Sequence, residues 1–515
     1  MLLNQIKLNL KEPITIGILL LISCSLLLRI ISIPFNIPLK LDAIDYLSFA
    51  VVFSSTGNYP IGILPTNDGW SIFLSPFFYF IGNENLMNLV NTQRLLSSII
   101  SSLTIIPIYF LLKKFLSKES SLIAIALFAF NPKIIENSTL GLSEPLFIFL
   151  IISSIVFALA VKNLFYFLSF ISVAFATIVR FEALVFFIPI TLIFIFNNRK
   201  SLKNFKIFFI SIFISLLIVS SIGIFRAMDD GVDGIFSHYW IYSQNSVDSK
   251  LINNVSSGEI TSSQNFWINS ITNTIKFLAL VLFPINLFLL PFGLFFYAKN
   301  NRKKTALLLI ITLFLLPAAL YAYGRNFQEV KYLLVLLPIL SIFSAYVFQI
   351  FNFFQNFKYL SLIIFIIFLV GLVFVVMNND EMILDNEKFR VTQFIVQNAT
   401  GVNTYPGIGF LKVATLFEIW PDPLPLNDFL RTTYYVEKFP CENSNSINEF
   451  LKNSENKISH LVVLQKNNCE FLDELFNSPD NLQYVKKVFQ TTKLNVENDM
   501  YVFEIDYEIF KKLNT

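Results

Sequence analysis

Histidine and cysteine are almost missing from this sequence. Its 515 residues include two histidines and three cysteines, with no Cys-x-x-Cys and no histidine cluster. That composition excludes a structural zinc centre and a disulfide-built scaffold, and leaves little room for histidine-driven catalysis. Charge is also scarce: Asp, Glu, Lys and Arg make up 14% of the chain and nearly cancel to a net +3. No excess field argues for nucleic acid, and no nucleic-acid partner is expected. Internal repeats and coiled-coil heptads are absent as well. Apolar residues dominate instead, at 55% with 59 phenylalanines, and the mean hydropathy is +0.64. A chain of this kind is a polytopic α-helical membrane protein.

Crossing a hydrocarbon core takes about 20 helical residues. Candidate runs lie at 14–35, 88–112, 119–132, 144–161, 164–179, 182–197, 207–225, 274–298, 305–323, 332–351 and 357–377, which predicts about eleven passes. Basic clusters at Lys7/Lys11, Lys113/Lys114/Lys118, Lys162, Arg199/Lys200/Lys203/Lys206, Lys299/Arg302/Lys303/Lys304 and Lys358 then all fall on one side, the cytoplasmic one by the positive-inside rule. The first run is too long for a signal-peptide core and lacks a small-x-small cleavage site, so it reads as a retained signal anchor with a cytoplasmic amino terminus.

The opposite side receives segments 36–87, 133–143, 226–273 and 324–331, and everything after about 378. Segment 226–273 is long for a connection, and a lid is expected there. Past Met377 the composition turns mixed, with a helix pattern at 385–398 and another at 470–476. Strand patterns follow at 460–464, 482–489 and 501–505. The expected organisation is a membrane domain over 1–378 and an extracytoplasmic α/β domain over 379–515. Cys441 and Cys469 fall in the latter, where a disulfide and two free thiols are equally open. Cys24 reads as a packing residue.

The outer segments hold the candidate site. Asp42, Asp45 and Tyr46 share one helix face; capping of a short helix by Asp42 and Asp45 is the plain alternative. A half-desolvated outer carboxylate suits a general base toward a hydroxyl, or a ligand to a divalent cation such as Mg or Mn, for which Asp42 and Glu144 are the expected pair. Ser143-Glu144-Pro145 has the form of a helix start, and Asn131-Pro132 fixes the preceding loop. Arg180 and Glu182 sit at membrane depth, where an ionisable group is costly and usually has a task; pairing or snorkelling at a helical hairpin tip is the equal alternative. Arg325 and Lys331 lie where basic residues are disfavoured and so suggest an anion, such as a lipid-linked phosphate; Arg226 is a weaker candidate of the same kind. His238-Tyr239-Trp240 fits stacking on a sugar, and an interfacial aromatic belt explains the Tyr and Trp at least as well. Asn137, Asn254 and Asn398 match the N-glycan acceptor pattern.

Taken in order, Asp42-Ala-Ile-Asp45-Tyr46, Asn131-Pro132 through Ser143-Glu144-Pro145, Arg180-Phe-Glu182, and Lys331-Tyr332 leading to Pro338 resemble the GT-C membrane glycosyltransferases. The likeness is to the family 39 branch of protein O-mannosyltransferases and aminoarabinose transferases, over about residues 14–350. Two departures stand out: Lys331 replaces an arginine common in relatives, and Asp-x-x-Asp replaces adjacent acidic residues. The resemblance implies a polyprenyl- or dolichyl-phosphate sugar donor and an acceptor hydroxyl on a protein, glycan or lipid outside the cytoplasm. Asp42 would then be the base, with Asp45 and Glu144 orienting it, the sugar or a cation. Arg180, Arg325 and Lys331 would stabilise the leaving phosphate, while Tyr46, Glu182, Tyr332 and His238 would contact substrate. A lipid-oligosaccharide ligase or polymerase and a polyprenyl-lipid flippase are the alternatives. An oligosaccharyltransferase shares the fold type, but Trp-Trp-Asp-Tyr-Gly is absent.

Overall fold

The computed structural model describes residues 12–35, 37–40, 42–60, 67–82, 84–160, 162–198, 202–230, 263–351, 357–377, 379–403, 405, 407–420, 435–437, 447–453, 458–465, 475, 482–491 and 499–514. In chain order the helices begin with α1 (Pro13–Ser32), α2 (Asp42–Thr56), α3 (Gly69–Ile81), α4 (Leu86–Leu103), α5 (Ile105–Leu112), α6 (Lys118–Ala129), α7 (Pro132–Thr139), α8 (Glu144–Ala158) and α9 (Asn163–Val179). A 3-10 turn (Phe181–Phe186) leads into α10 (Phe187–Asn198), followed by α11 (Leu202–Asp230), α12 (Ser263–Leu282), α13 (Ile285–Asn300), α14 (Arg302–Leu315) and α15 (Pro317–Gly324). A second 3-10 turn (Val330–Leu336) precedes α16 (Leu337–Ile350) and α17 (Phe357–Met377). The carboxy-terminal part runs α18 (Asn379–Asn398), β1 (Gly401–Asn403), α19 (Leu411–Ile419), β2 (Tyr435–Glu437), α20 (Ile447–Asn453), β3 (His460–Leu464), β4 (Val485–Gln490), β5 (Met500–Ile505) and α21 (Tyr507–Asn514).

Two compact units result. Unit 1 comprises Met1–Ile33, Thr56–Phe77 and Thr92–Val376; unit 2 comprises Pro34–Ser55, Phe78–Asn91 and Met377–Thr515. The sequence places the whole stretch up to 378 in one domain, whereas this division gives unit 2 the segment that carries Asp42 and Asp45.

Among the described residues, six helices are long and apolar enough to cross a membrane, or up to eight if each of two bent pairs counts as one span. The runs expected at 119–132, 164–179 and 182–197 form helices of 12, 17 and 12 residues, each short of the length one untilted crossing needs. The bent pairs are α7 with α8, at 120°, and α12 with α13, at 106°. Lipid-facing stripes remain exposed, such as Leu20, Leu27 and Ile31 on α1 and Phe209, Phe213 and Leu217 on α11. Such a surface is stable in hydrocarbon and not in water.

Side-chain contacts sort the helix ends of unit 1. Lys114 Nζ donates to the Leu159 carbonyl, and Lys304 Nζ donates to the Lys114 carbonyl at 3.1 Å. Asn300 Nδ2 donates to the Tyr346 hydroxyl at 3.2 Å, and Gln349 Oε1 accepts from Ser117 N at 3.1 Å. The expected basic clusters at 113–118, 162 and 299–304 therefore gather at one end.

Unit 2 holds a five-stranded sheet of order β2-β1-β3-β5-β4. Strand β1 is parallel to β2 and β3, while β5 is antiparallel to β3 and β4. Period-2 alternation sends Leu461, Val463 and Phe503 to one face with Phe450 and Phe510, and Val462 and Val502 to the other with Val391 and Ile395 of α18. The strand patterns read at 460–464, 482–489 and 501–505 correspond to β3, β4 and β5. Residues 470–474 and 476 of the expected helix, as well as Cys441 and Cys469, lie outside the described residues.

Candidate functional site

The site of unit 1 is built on the bend between α7 and α8. Asn131 caps α7: its Oδ1 accepts from Lys133 N at 3.0 Å and Ile134 N at 3.3 Å, and its Nδ2 donates to the Val281 carbonyl at 2.8 Å. The chain then turns at Gly141, whose φ of 77° lies in the left-handed region open to glycine. Helix α8 opens with Glu144-Pro145, and Ser143 makes no side-chain capping bond to it.

A turn in apolar surroundings must have its carbonyls satisfied. Here other helices supply the donors. Gln93 Nε2 and Trp70 Nε1 both donate to the Gly141 carbonyl, at 2.8 and 3.0 Å. Ser97 Oγ donates to the Leu142 carbonyl and Ser98 Oγ to the Ser138 carbonyl, each at 3.2 Å. Gln93, Ser97, Ser98 and Ser101 recur at i, i+4, i+5 and i+8, one face of α4. Arg29 of α1, fully buried, donates through Nε to Ser138 Oγ at 3.1 Å and Ser101 Oγ at 3.3 Å, and through Nη1 to the Ala129 carbonyl at 3.1 Å.

That bend presents Glu144, which is 3% exposed. Its Oε1 pairs with Arg180 Nη1, and its Oε2 accepts from Asn137 Nδ2 at 3.4 Å. Arg180 Nη2 pairs with Glu182 Oε1 at 2.7 Å. The guanidinium also lies 5.4 Å from the Tyr332 ring centre and 5.8 Å from that of Phe147, within cation-π range. One arginine is thus shared by two carboxylates, and the trio carries a net charge of −1. Glu182 Oε2 is buried and accepts no hydrogen bond among the described residues, so this oxygen has acceptor capacity to spare.

Two further ties reach the break that carries Arg180. Asn67 Oδ1 accepts from Phe181 N at 3.1 Å. A Cβ on Gly69 would lie 2.6 Å from Val179 N, so glycine permits this backbone approach. Between them, Asp68 pairs with Arg226 through two oxygens, the Nε–Oδ2 distance being 2.6 Å. Both are almost fully buried, and the Tyr59 hydroxyl donates to the same carboxylate. Burial, followed by the Asp68 charge, pushes the Tyr59 hydroxyl well above its ordinary value despite the opposing Arg226 charge.

The structure brings together Glu144, Arg180, Glu182 and Tyr332. Lys331, beside Tyr332, pairs with Glu329, and Arg325 lies 4.9 Å over the Tyr321 ring. Asp42, Asp45 and Tyr46 stand on the first turns of α2 in unit 2. Asp42 is itself helical there, and Tyr46 is buried. Asp45 Oδ1 pairs with Lys412 Nζ at 3.2 Å. Its carboxyl is raised above the ordinary range by burial, with Lys412 pulling it back and Asp42 adding to the rise. His238 and most of the expected lid lie outside the described residues. Among the described residues, no group of three or more His, Cys, Asp or Glu could hold a metal ion. Glu144 spends both oxygens on Arg180 and Asn137.

Sequence reasoning missed Asn67, Asp68, Tyr59 and Asn137. Asn137 carries the glycan-acceptor pattern, but it is 6% exposed and bonded to Glu144, so it is no acceptor in this fold. Asn398, by contrast, is exposed; Asn254 lies outside the described residues. Asn67-Asp68 belongs to an outer polar segment and had no charged motif around it to single it out.

Residues 74–225 match the family described as dolichyl-phosphate-mannose-protein mannosyltransferase. No curated protein matches the sequence. Solved structures do resemble it. The Archaeoglobus fulgidus oligosaccharyltransferase tethered to an acceptor peptide superposes with a TM-score of 0.53 at 12% identity, covering 94% of this chain and 74% of that one. The same enzyme with zinc and sulfate gives 0.53 at 12%, with 87% and 67% covered. ArnT from Cupriavidus metallidurans bound to undecaprenyl phosphate gives 0.50 at 10%, with 94% and 97% covered. The fold is that of the GT-C membrane enzymes, as the motif order implies.

Proposed function

We propose that this chain is a membrane glycosyltransferase that moves a monosaccharide, mannose or a similar sugar, from a polyprenyl- or dolichyl-phosphate to an acceptor hydroxyl on the extracytoplasmic side. The observation that carries the reading is the buried Glu144–Arg180–Glu182 trio at the 120° bend between α7 and α8. It lies within the segment that matches the dolichyl-phosphate-mannose-protein mannosyltransferases. An undecaprenyl phosphate in the ArnT structure supports a lipid-phosphate donor.

In the proposed reaction, the acceptor oxygen bonds to the anomeric carbon as the bond from that carbon to the phosphate oxygen breaks. The acceptor proton passes to Asp42, and polyprenyl phosphate leaves with the bonding electrons. Direct displacement inverts the anomeric centre. Arg325 and Lys331 take more of the phosphate charge than Arg180, because Lys331 meets one carboxylate, Glu329, whereas Arg180 is offset by two. Arg180 instead fixes Glu144 and Glu182, and Glu182 Oε2 is the oxygen left to accept a sugar hydroxyl. Tyr46, Tyr332 and His238 remain substrate contacts in this scheme, with Asp45 beside the base. A divalent cation stays a separate proposal through which no step runs, and Glu144, with both oxygens engaged by Arg180 and Asn137, does not fit as its ligand.

The test is transfer from labelled polyprenyl-phosphate mannose in membranes containing the folded wild type or Asp42→Asn. Wild-type transfer by Asp42→Asn would refute the base assignment. Donor translocation without transfer would favour a flippase.

A further inference from the structure

The segment bearing Asp42 and Asp45 lies in the same compact unit as the carboxy-terminal fold, and three contacts bind it there. Lys40 pairs with Asp385 of α18, which also takes Lys388 at 3.5 Å. The Lys40 ammonium stands 5.5 Å from the Phe410 ring centre. Lys412, the second residue of α19, places its ammonium 3.2 Å from Asp45 Oδ1. These contacts span more than 340 residues of sequence and converge within six residues, 40 to 45.

We propose that Lys412 is a positioning residue for the carboxylate face of α2: its ammonium holds Asp45 ionised and oriented, so that Asp42 and Asp45 do not share a proton. The inference rests on the transferase reading and gives the carboxy-terminal unit a part in it. Two carboxylates at i and i+3 repel, and where both are partly desolvated the pair tends to retain one proton. A proton held there would block Asp42 as a base. One ammonium on Asp45 offsets the charge of that carboxylate and weakens the repulsion that it exerts on Asp42. Among the described residues, the charged groups acting on Asp45 are Lys412 and Asp42. Burial acts in the direction that Lys412 opposes.

The test follows the Asp45 carboxyl by infrared difference titration of full-length protein labelled with ¹³C-aspartate, the Asp45→Asn spectrum being subtracted. Lys412→Met should raise the Asp45 midpoint by about one pH unit, while Lys412→Arg keeps it near wild type. Lys40→Met, which loosens the same segment without touching Asp45, should leave it unmoved. An unchanged midpoint in Lys412→Met, or an equal rise in Lys40→Met, overturns the inference. In membranes supplied with polyprenyl-phosphate mannose, the acid limb of the transfer rate should move up with the midpoint in Lys412→Met and return in Lys412→Arg. A loss uniform across pH would instead mark a merely structural lysine. The parent reading fails by a different result, an Asp42→Asn protein with wild-type transfer.

Discussion

Asn137 Nδ2 donates to Glu144 Oε2 at 3.4 Å across the Gly141 turn. The amide is therefore a fixed donor to a buried carboxylate whose other oxygen faces Arg180. Asn137→Asp should put two acceptors face to face and lower transfer from a polyprenyl-phosphate sugar by about tenfold or more, the equivalent of about 1.4 kcal/mol in barrier. Mass spectrometry of protein made in a glycosylating host should find no glycan on Asn137. A glycan there would contradict its burial.

Arg180 serves two carboxylates with two nitrogens of one planar fork, a geometry lysine lacks. Arg180→Lys should keep one pair and lose the other. Arg180→Gln should leave two buried carboxylates facing each other without a cation and destabilise the fold by about 3 kcal/mol or more. Thermal unfolding in detergent orders the three proteins as wild type, Lys, Gln. Equal melting of all three would mean that the trio is not the buried network described.

Gly141→Ala tests the turn itself. A non-glycine residue at φ 77° costs about 1–2 kcal/mol, and this turn carries Glu144. Gln93→Leu removes one of two donors to the Gly141 carbonyl and should cost about 1 kcal/mol, with Trp70 retaining the other bond. Chemical denaturation should rank Gly141→Ala at or below Gln93→Leu in stability.

Much of this frame was legible in advance. Basic clusters at Lys114 and Lys304 announced a common end, and the structure brings those residues into contact. Ser143-Glu144-Pro145 read as a helix start, and α8 begins at Glu144. Period-2 alternation gave β3 and β5 nearly to the residue. What stayed hidden depends on partners remote in sequence. The pairing of Asp68 with Arg226, or of Asp45 with Lys412, leaves no trace in either local pattern, since helical period shows which face a residue takes and not what opposes it. The acceptor pattern at Asn137 shows compatibility only, and a three-residue pattern says nothing about the burial that the structure gives this residue. The runs at 164–179 and 182–197 are only about 16 residues long in the sequence, too short for an untilted crossing, and they form helices of 17 and 12 residues; where each helix ends follows from where the chain bends, which hydropathy does not show.

His460, on β3, offers a pH test of unit 2. It is 4% exposed and its Nδ1 lies 2.9 Å from Ser459 Oγ. Burial holds its pKa below the ordinary 6.5, with the charge of Glu504, its partner across the sheet, opposing in part. The unfolded chain therefore binds the proton first. Stability should fall as pH drops through about 6.5 and level off below the folded value. His460→Gln should flatten that limb while leaving the melt above pH 7 nearly parallel to wild type. A steeper acid limb in the variant would reverse the sign.

Arg29 bears on how the site is held. Among the described residues no carboxylate lies within ion-pair distance of it; hydroxyls and carbonyls receive its Nε and Nη1 donors, and Nη2 has no hydrogen-bond partner there. Such a charge is costly to bury, and the fold retains it at the point where α1, α4, α6 and α7 meet. Through Ser138 it fastens the last turn of α7, one residue from Asn137 and so one bond away from Glu144. Arg29→Met removes the desolvation cost of the charge but leaves the Ala129 carbonyl without this donor, so the loss of stability should be modest, about 1–3 kcal/mol. Ser138→Ala keeps the charge and cuts one contact to α7. If Arg29 acts through Ser138, the double variant should lose no more transfer than Arg29→Met alone, because both changes release the same helix end. Additive losses in kcat across that cycle would show that Arg29 supports the bundle without steering Glu144.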